Sequence, residues 1–329
     1  MLRSAATGLF VLFAHSDDLG YTDPCIVVAT SETVTGPYEL RGPLLRDGEP
    51  LRRWDMGVFE DLDGTAYLLA HEGGIHRLAP DLLTIEETVA DDLAPGGESP
   101  AMLVHDGAYW LLFSNKTSWE RNDNYALSAP SPAGPWTHRG LFAPGGSLTW
   151  NSQCSFVLRL ADGRHVYLGD RWSFPHHASS ATQVWLPLEV AADRIALPEY
   201  REAWRLDGGP VPVAAERIAV GFRRTDAGAS VEVPFRGTRV AIVGGASPAG
   251  AYGLVQLLRD GEVVLEQLVD WYSLVPHHGT RWVSPPLPIA EHVLRVTATG
   301  ELPEWFTKDG TRFGSIDSVV EVDVLLVEA

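Results

Sequence analysis

Residues 63–71, Asp-Gly-Thr-Ala-Tyr-Leu-Leu-Ala-His, join a tight-turn dipeptide to a short apolar run carrying an aromatic ring. Asp-Gly favours a two-residue hairpin turn, and a short apolar run bounded by turn residues reads as a β-strand. The phrase returns as LFVLFAH after Gly8, AYWLLFS after Asp106-Gly107 and RHVYLGD after Asp162-Gly163. The four glycines stand 56, 43 and 56 residues apart, the length of a four-stranded unit with variable loops. A second phrase, Gly-Pro-aromatic, recurs at residues 36–38 and 134–136 and breaks the chain before an outer strand. Helical periodicity is nearly absent before residue 200, so the repeat predicts small antiparallel sheets arranged as a β-propeller, with about four blades present. A continuous sandwich gives no reason for the repetition.

Working outward, the first repeat overlaps a segment that imitates a signal peptide, Met1-Leu2-Arg3 followed by the apolar Ala5–Ala14. Because the run obeys the repeat, Leu9–Ala14 is expected to be a strand. Composition shifts near residue 207, where 206–212 (LDGGPVP) reads as a linker. Beyond it, runs such as 239–243, 253–258, 293–296 and 319–327 are separated by turns, Arg259-Asp260-Gly261-Glu262 being the clearest. They predict a β-sandwich or jelly roll of about 120 residues. The fold expected is therefore all-β, with a propeller over 1–204 and a sandwich over 205–329.

Composition narrows the function. Of 329 residues, 45% are hydrophobic and 21% charged, enough for a core and a hydrated surface, and no apolar run approaches a membrane span. The 25 basic and 43 acidic residues leave a net charge of −18, which speaks against a nucleic-acid partner and for a neutral one. Cys25 and Cys154 lack metal or redox spacing and are expected to be buried, inert thiols. Eleven tryptophans and nine tyrosines suit the apolar faces of sugars, although most should be core.

Three polar residues share one phase of the repeat, just ahead of the apolar strands: Asp55, Glu98 and Gln153. First strands of successive blades line the propeller axis, so positions 43 and 55 residues apart in sequence converge on one mouth. Glycosidic chemistry needs such neighbours: an acid kept protonated, and groups that tune it and hold water.

These phrases resemble glycoside hydrolase family 43, a family of five-bladed propellers, and its exo-β-1,3-galactanase branch in particular. The resemblance rests on TSETVTGPYEL, RRWDMGVFEDLDGTAYLL, GGESPAMLVHDGAYWLLFS, TSWERNDNYALSAPSPAGPW and NSQCSFVLRLADGRHVYLGDRW, and covers residues 1 to about 204. It implies that Glu98 is the general acid, that Asp55 orients it and raises its pKa, and that Gln153 holds the attacking water where other members carry an Asp base. It implies inversion at the anomeric carbon, with carboxyls roughly 6.5–9.5 Å apart. Trp119 is implied as a stacking floor, equally as blade core, and Asn122 as a hydroxyl ligand. Thr117 and Tyr21 match positions near the sugar. Arg171 and Trp172 recur in the branch beside Asp170, as substrate contacts or as an Asp–Arg brace of the last blade.

The substrate implied is an oligo- or polysaccharide, β-1,3-galactan attacked from its non-reducing end. Arabinofuranosidase or xylosidase activity and an inactive glycan-binding relative are the alternatives. No cofactor is required and no metal ligands are assigned: His176-His177 and His277-His278 read as loop histidines, while a structural calcium ion and the oligomeric state stay open. Family habit implies secretion. Four repeats against the family's five lead to the expectation of an N-terminally truncated propeller, poorly soluble or weakly active unless extended upstream. Trp271, Tyr272, Trp282, Trp305 and Phe306 offer either a sugar platform or a bracing core for the C-terminal domain.

Overall fold

The computed structural model describes residues 1–176, 183–206, 216–307 and 309–329. Residues 2–196 form four four-stranded antiparallel sheets, each wound in chain order. The first holds β1 (Leu2–Arg3), β2 (Phe10–Ser16), β3 (Cys25–Ser31) and β4 (Glu39–Pro43). The second holds β5 (Met56–Glu60), β6 (Ala66–Ala70), β7 (Gly74–Leu78) and β8 (Ile85–Ala90). The third holds β9 (Gly97–His105), β10 (Ala108–Asn115), β11 (Tyr125–Ala129) and β12 (Thr137–Leu141). The fourth holds β13 (Gln153–Arg159), β14 (His165–Asp170), β15 (Val184–Val190) and β16 (Ile195–Ala196).

The repeated phrase is the second strand of each sheet. Its glycine turns the chain with φ between 75° and 87° at Gly8, Gly64, Gly107 and Gly163, which a residue with a Cβ adopts only at a cost. In the second and third sheets these strands are apolar on both faces because both faces are covered, whereas in β2 Val11 and Phe13 are buried and Phe10, Leu12 and Ala14 on the other face are only half-buried. In β10, Leu111 and Phe113 point into the core shared with Phe59 and Tyr67 of the second sheet. Trp110 and Leu112 point the opposite way, against Cys154, Val157 and Tyr167 of the fourth. Val11 and Phe13 meet Ala66 and Leu68 in a third core. The expected strand at 9–14 is found at Phe10–Ser16; of the two thiols expected to be buried, Cys154 is, whereas Cys25, at the start of β3, is only half-buried.

Beyond residue 215 the strands are β17 (Glu216–Arg224), β18 (Ser230–Gly237), β19 (Arg239–Ala246), β20 (Tyr252–Arg259), β21 (Glu262–Asp270), β22 (His277–Val283), β23 (Ala290–Ala298), β24 (Glu304–Phe306), β25 (Arg312–Gly314) and β26 (Val320–Glu328). Two four-stranded sheets, ordered β17-β26-β19-β22 and β18-β23-β20-β21, share one core around Trp271, Trp282 and Val296. The expected linker lies outside the described residues from 207 to 215.

Four of the five C-terminal aromatics considered as a sugar platform, Trp271, Tyr272, Trp282 and Trp305, are buried; only Phe306 is exposed, at 61%. An indole enclosed on both faces offers nothing to a sugar, so those four brace the interior.

Candidate active site

The first strands β5, β9 and β13 run side by side, and their N-terminal ends carry the three polar residues. Asp55 stands one residue before β5, Glu98 is the second residue of β9, and Gln153 opens β13. The close approach of β5 and β9 is bought by a missing side chain. A Cβ on Gly57 would lie 2.1 Å from the Pro100 carbonyl oxygen.

Ser99 ties Asp55 to the strand of Glu98. Its N–H donates to Asp55 Oδ2 at 3.0 Å, with its hydroxyl 3.4 Å from the same oxygen. The register of β9 against β10 shifts between Glu98 and Ala101, and Ser99 adopts a φ of 53°. This bulge turns the Glu98 side chain toward Gln153. Burial, then the charge of Asp55, pushes the Glu98 carboxyl up to about 7, against the opposing pull of Lys116 and of the Gln153 N–H. A carboxyl so placed holds its proton near neutral pH and can deliver it.

Gln153 is buried, and its orientation is determined. Trp172 Nε1 lies 2.7 Å from Gln153 Oε1, and an indole N–H only donates, so the atom it meets is the amide oxygen. The amide nitrogen therefore faces Ser114 Oγ at 2.7 Å and Glu98 Oε2 at 3.5 Å.

Of the other expected residues, Thr117, Trp119 and Asn122 lie on the segment that follows β10, and Arg171 and Trp172 follow β14. Trp119, half-buried, stacks on Phe174 with centroids 5.2 Å apart and meets Trp172 edge-on at 5.3 Å. Asn122 is buried with its amide engaged by Asn115, Thr117 and Asn124. Thr117 accepts from Asn122 and donates to the Glu120 carbonyl, so both residues shape the loop that carries Trp119. Arg171 is buried, donates to the Trp150 carbonyl at 3.0 Å and lies over the Tyr200 ring. Asp170 accepts from Gln183, and burial raises its pKa. Tyr21 lies on the loop between β2 and β3, 69% exposed.

Several site residues escaped the sequence reading. Trp54, next to Asp55, is 41% exposed; its indole N–H donates to Asp17, with the Lys116 ammonium 5.6 Å from the ring centroid. Lys116 also pairs with Glu72 at 2.8 Å. The cue was an aromatic directly before a strand-start carboxylate. Ser114 gave none, since a serine ending an apolar strand is ordinary.

Among the described residues no group of three or more His, Cys, Asp or Glu could hold a metal ion. His176 bonds Glu301, His277 bonds the Val275 carbonyl and Arg281, and His278 bonds Asp323; His177 lies outside the described residues.

A carboxyl raised toward neutrality, a second carboxylate held beside it through Ser99 and a buried amide facing the first are groups that glycosidic chemistry can use. Comparison with known proteins specifies this. No family model and no curated protein sequence matches the chain. Among solved structures, a Bifidobacterium bifidum protein assigned as an exo-β-1,3-galactanase is 35% identical over 59% of this chain and 68% of its own, with a TM-score of 0.55. The exo-β-1,3-galactanase of Phanerochaete chrysosporium, solved with galactose, matches 99% of this chain and 80% of its own at 24% identity and a TM-score of 0.61. A β-1,3-galactosidase of glycoside hydrolase family 43 matches the whole chain and 73% of its own at 19% identity, with a TM-score of 0.57. The chain belongs to glycoside hydrolase family 43.

Proposed function

We propose that the protein is an inverting glycoside hydrolase that removes galactose from the non-reducing end of β-1,3-galactan. Residues 1–204 would be a β-propeller carrying the site, and residues 205–329 a β-sandwich that supports it. Glu98 protonates the leaving glycosidic oxygen, Asp55 helps to keep that acid protonated, and Gln153 holds the attacking water. Trp119 and Trp172 face the sugar, and Arg171, Thr117, Asn122 and Tyr21 form its surroundings.

The observation that carries the proposal is the Glu98 carboxyl, raised to about 7 and tied through Ser99 to Asp55. In support of the substrate, one neighbour was solved with galactose and a variant of it with β-1,3-galactotriose. The test is galactose release from β-1,3-galactan by the wild type and by Glu98→Gln. The variant is expected to lose about a hundredfold to ten-thousandfold in kcat, and equal turnover in the two proteins would remove Glu98 as the acid. A panel of aryl galactosides, arabinofuranosides and xylosides separates the galactosidase reading from its relatives.

One observation favours a second reading, that of a non-catalytic glycan binder: the third residue of the site is an amide, a poor base. Galactan binding without turnover in both proteins supports that reading.

A further inference from the structure

Gln153 is preceded by an unusual piece of backbone. Leu148, Thr149, Trp150 and Asn151 all have φ between 50° and 57°, a single left-handed turn made without glycine. Each such residue costs about 1–2 kcal/mol, so the turn persists only where its surroundings over-determine it. Here every residue of it is held. Asp123 accepts from the Leu148 N–H at 2.9 Å, and the Thr149 hydroxyl bridges the Asn124 N–H and the Asn122 carbonyl. Trp150 Nε1 donates to the Leu197 carbonyl at 3.1 Å. Asn151 reaches the loop between β21 and β22 of the C-terminal sheets, where its Oδ1 accepts from the Val275 N–H at 3.2 Å and its Nδ2 lies 3.4 Å from the Val275 carbonyl.

The opposite flank of Gln153 is held from the same side. Trp172, whose indole sets the amide orientation, receives the Arg121 guanidinium at its carbonyl, and that guanidinium lies over the Tyr272 ring. Tyr272 donates to Glu120 Oε1 at 2.9 Å, and Tyr252 OH donates to the Ser173 carbonyl at 2.7 Å. Phe174, stacked on Trp119, meets Trp305 edge-on.

We propose that Asn151 and Trp172 are positioning residues for Gln153, through which the C-terminal sheets hold the site's amide with its nitrogen toward Glu98. This rests on the reading of Glu98 as the acid. Without the Trp172 N–H, the amide is free to turn its oxygen to Glu98 and withdraw a donor from the carboxylate. The charged groups acting on Glu98, Asp55 and Lys116, stay where they are.

The test uses Trp172→Phe and Asn151→Ala in the full chain, each alone and with Gln153→Ala. Each single variant is expected to lose about tenfold to a hundredfold in kcat, with little change in KM for Asn151→Ala, and to lose nothing further in kcat once Gln153 is alanine. In Trp172→Phe the titration midpoint of Glu98, followed by carboxyl carbon NMR, should rise above its wild-type value. Losses that add fully to Gln153→Ala, or an unmoved midpoint, overturn the proposal. The NMR midpoint reads the orientation even if the protein has no turnover. Loss of turnover in Glu98→Gln alongside unchanged kinetics in Trp172→Phe would therefore sink this inference and leave the acid standing. Should Asn151→Ala fail to fold, Trp172→Phe alone decides.

Discussion

Burial and a neighbouring charge that raise the pKa of Glu98 must also weaken the fold once the carboxyl ionises. The folded-state value, about 7, lies above the unfolded one, so the folded protein binds the extra proton between about pH 4.5 and 7. Stability from this group is complete below that window and is lost as pH rises through it. Glu98→Gln removes the ionisation, so the variant should match the wild type near pH 4.5. Above pH 7.5 it should exceed the wild type by about 1–2 kcal/mol, a value reduced because Glu98 is partly exposed. Thermal melts of both proteins across pH check this; a variant advantage independent of pH would show that the strain is not electrostatic. The identity of Glu98 was legible in sequence from its repeat phase. Its environment was not, because Ser114, Lys116 and the Ser99 bulge reach it by strand pairing and side-chain geometry that composition does not encode.

Two glycines separate turn chemistry from strand packing at the scale of the element. Gly107 turns the hairpin between β9 and β10 with φ 78°, and no atom lies within 4 Å of where a Cβ would stand. Gly107→Ala should therefore cost only the backbone term, about 1 kcal/mol, and leave activity intact. Gly57 has an ordinary φ but faces the Pro100 carbonyl at a distance no Cβ tolerates. Gly57→Ala must push β5 away from β9, and with it Asp55 from Glu98. It should lower both the free energy of unfolding, by an amount typical of overpacking (about 1–3 kcal/mol), and turnover. Denaturant unfolding with parallel assays distinguishes the pair, and an inactive but fully stable Gly107→Ala would contradict the assignment. The turn glycine was readable because Asp-Gly is a local signal. Gly57 was not, since its constraint comes from a strand some forty residues away.

For the whole molecule, the C-terminal sheets bury groups that belong with the first four. Tyr272 donates to the buried Glu120, whose pKa burial raises, and Arg121 lies over the Tyr272 ring. Asp270, raised to about 7 by burial, lies within the field of Arg121. Separating the two parts would expose this polar seam and the Phe174–Trp305 contact together. Calorimetry of the intact chain should accordingly show one cooperative transition rather than two. Tyr272→Phe, which strands Glu120 Oε1, should lower the free energy of unfolding by about 1–3 kcal/mol. Two resolved transitions would mean that the seam contributes little.

Local chemistry was enough to determine most strands and their turns, and the phrases those strands carry were enough for the resemblance to the family. Asp-Gly and Gly-Pro act within a few residues, and apolar runs covered on both faces need no knowledge of their partners to be recognised. The shared phase of Asp55, Glu98 and Gln153 was legible for the same reason, as a periodic property of one chain. Only the tertiary structure decided how Gln153 is turned, why four residues before it tolerate a left-handed turn, and that Tyr272 and Trp305 face inward rather than toward a glycan. Those outcomes depend on contacts between segments up to 152 residues apart, where the energy of a conformation comes from its neighbours in space and not along the chain.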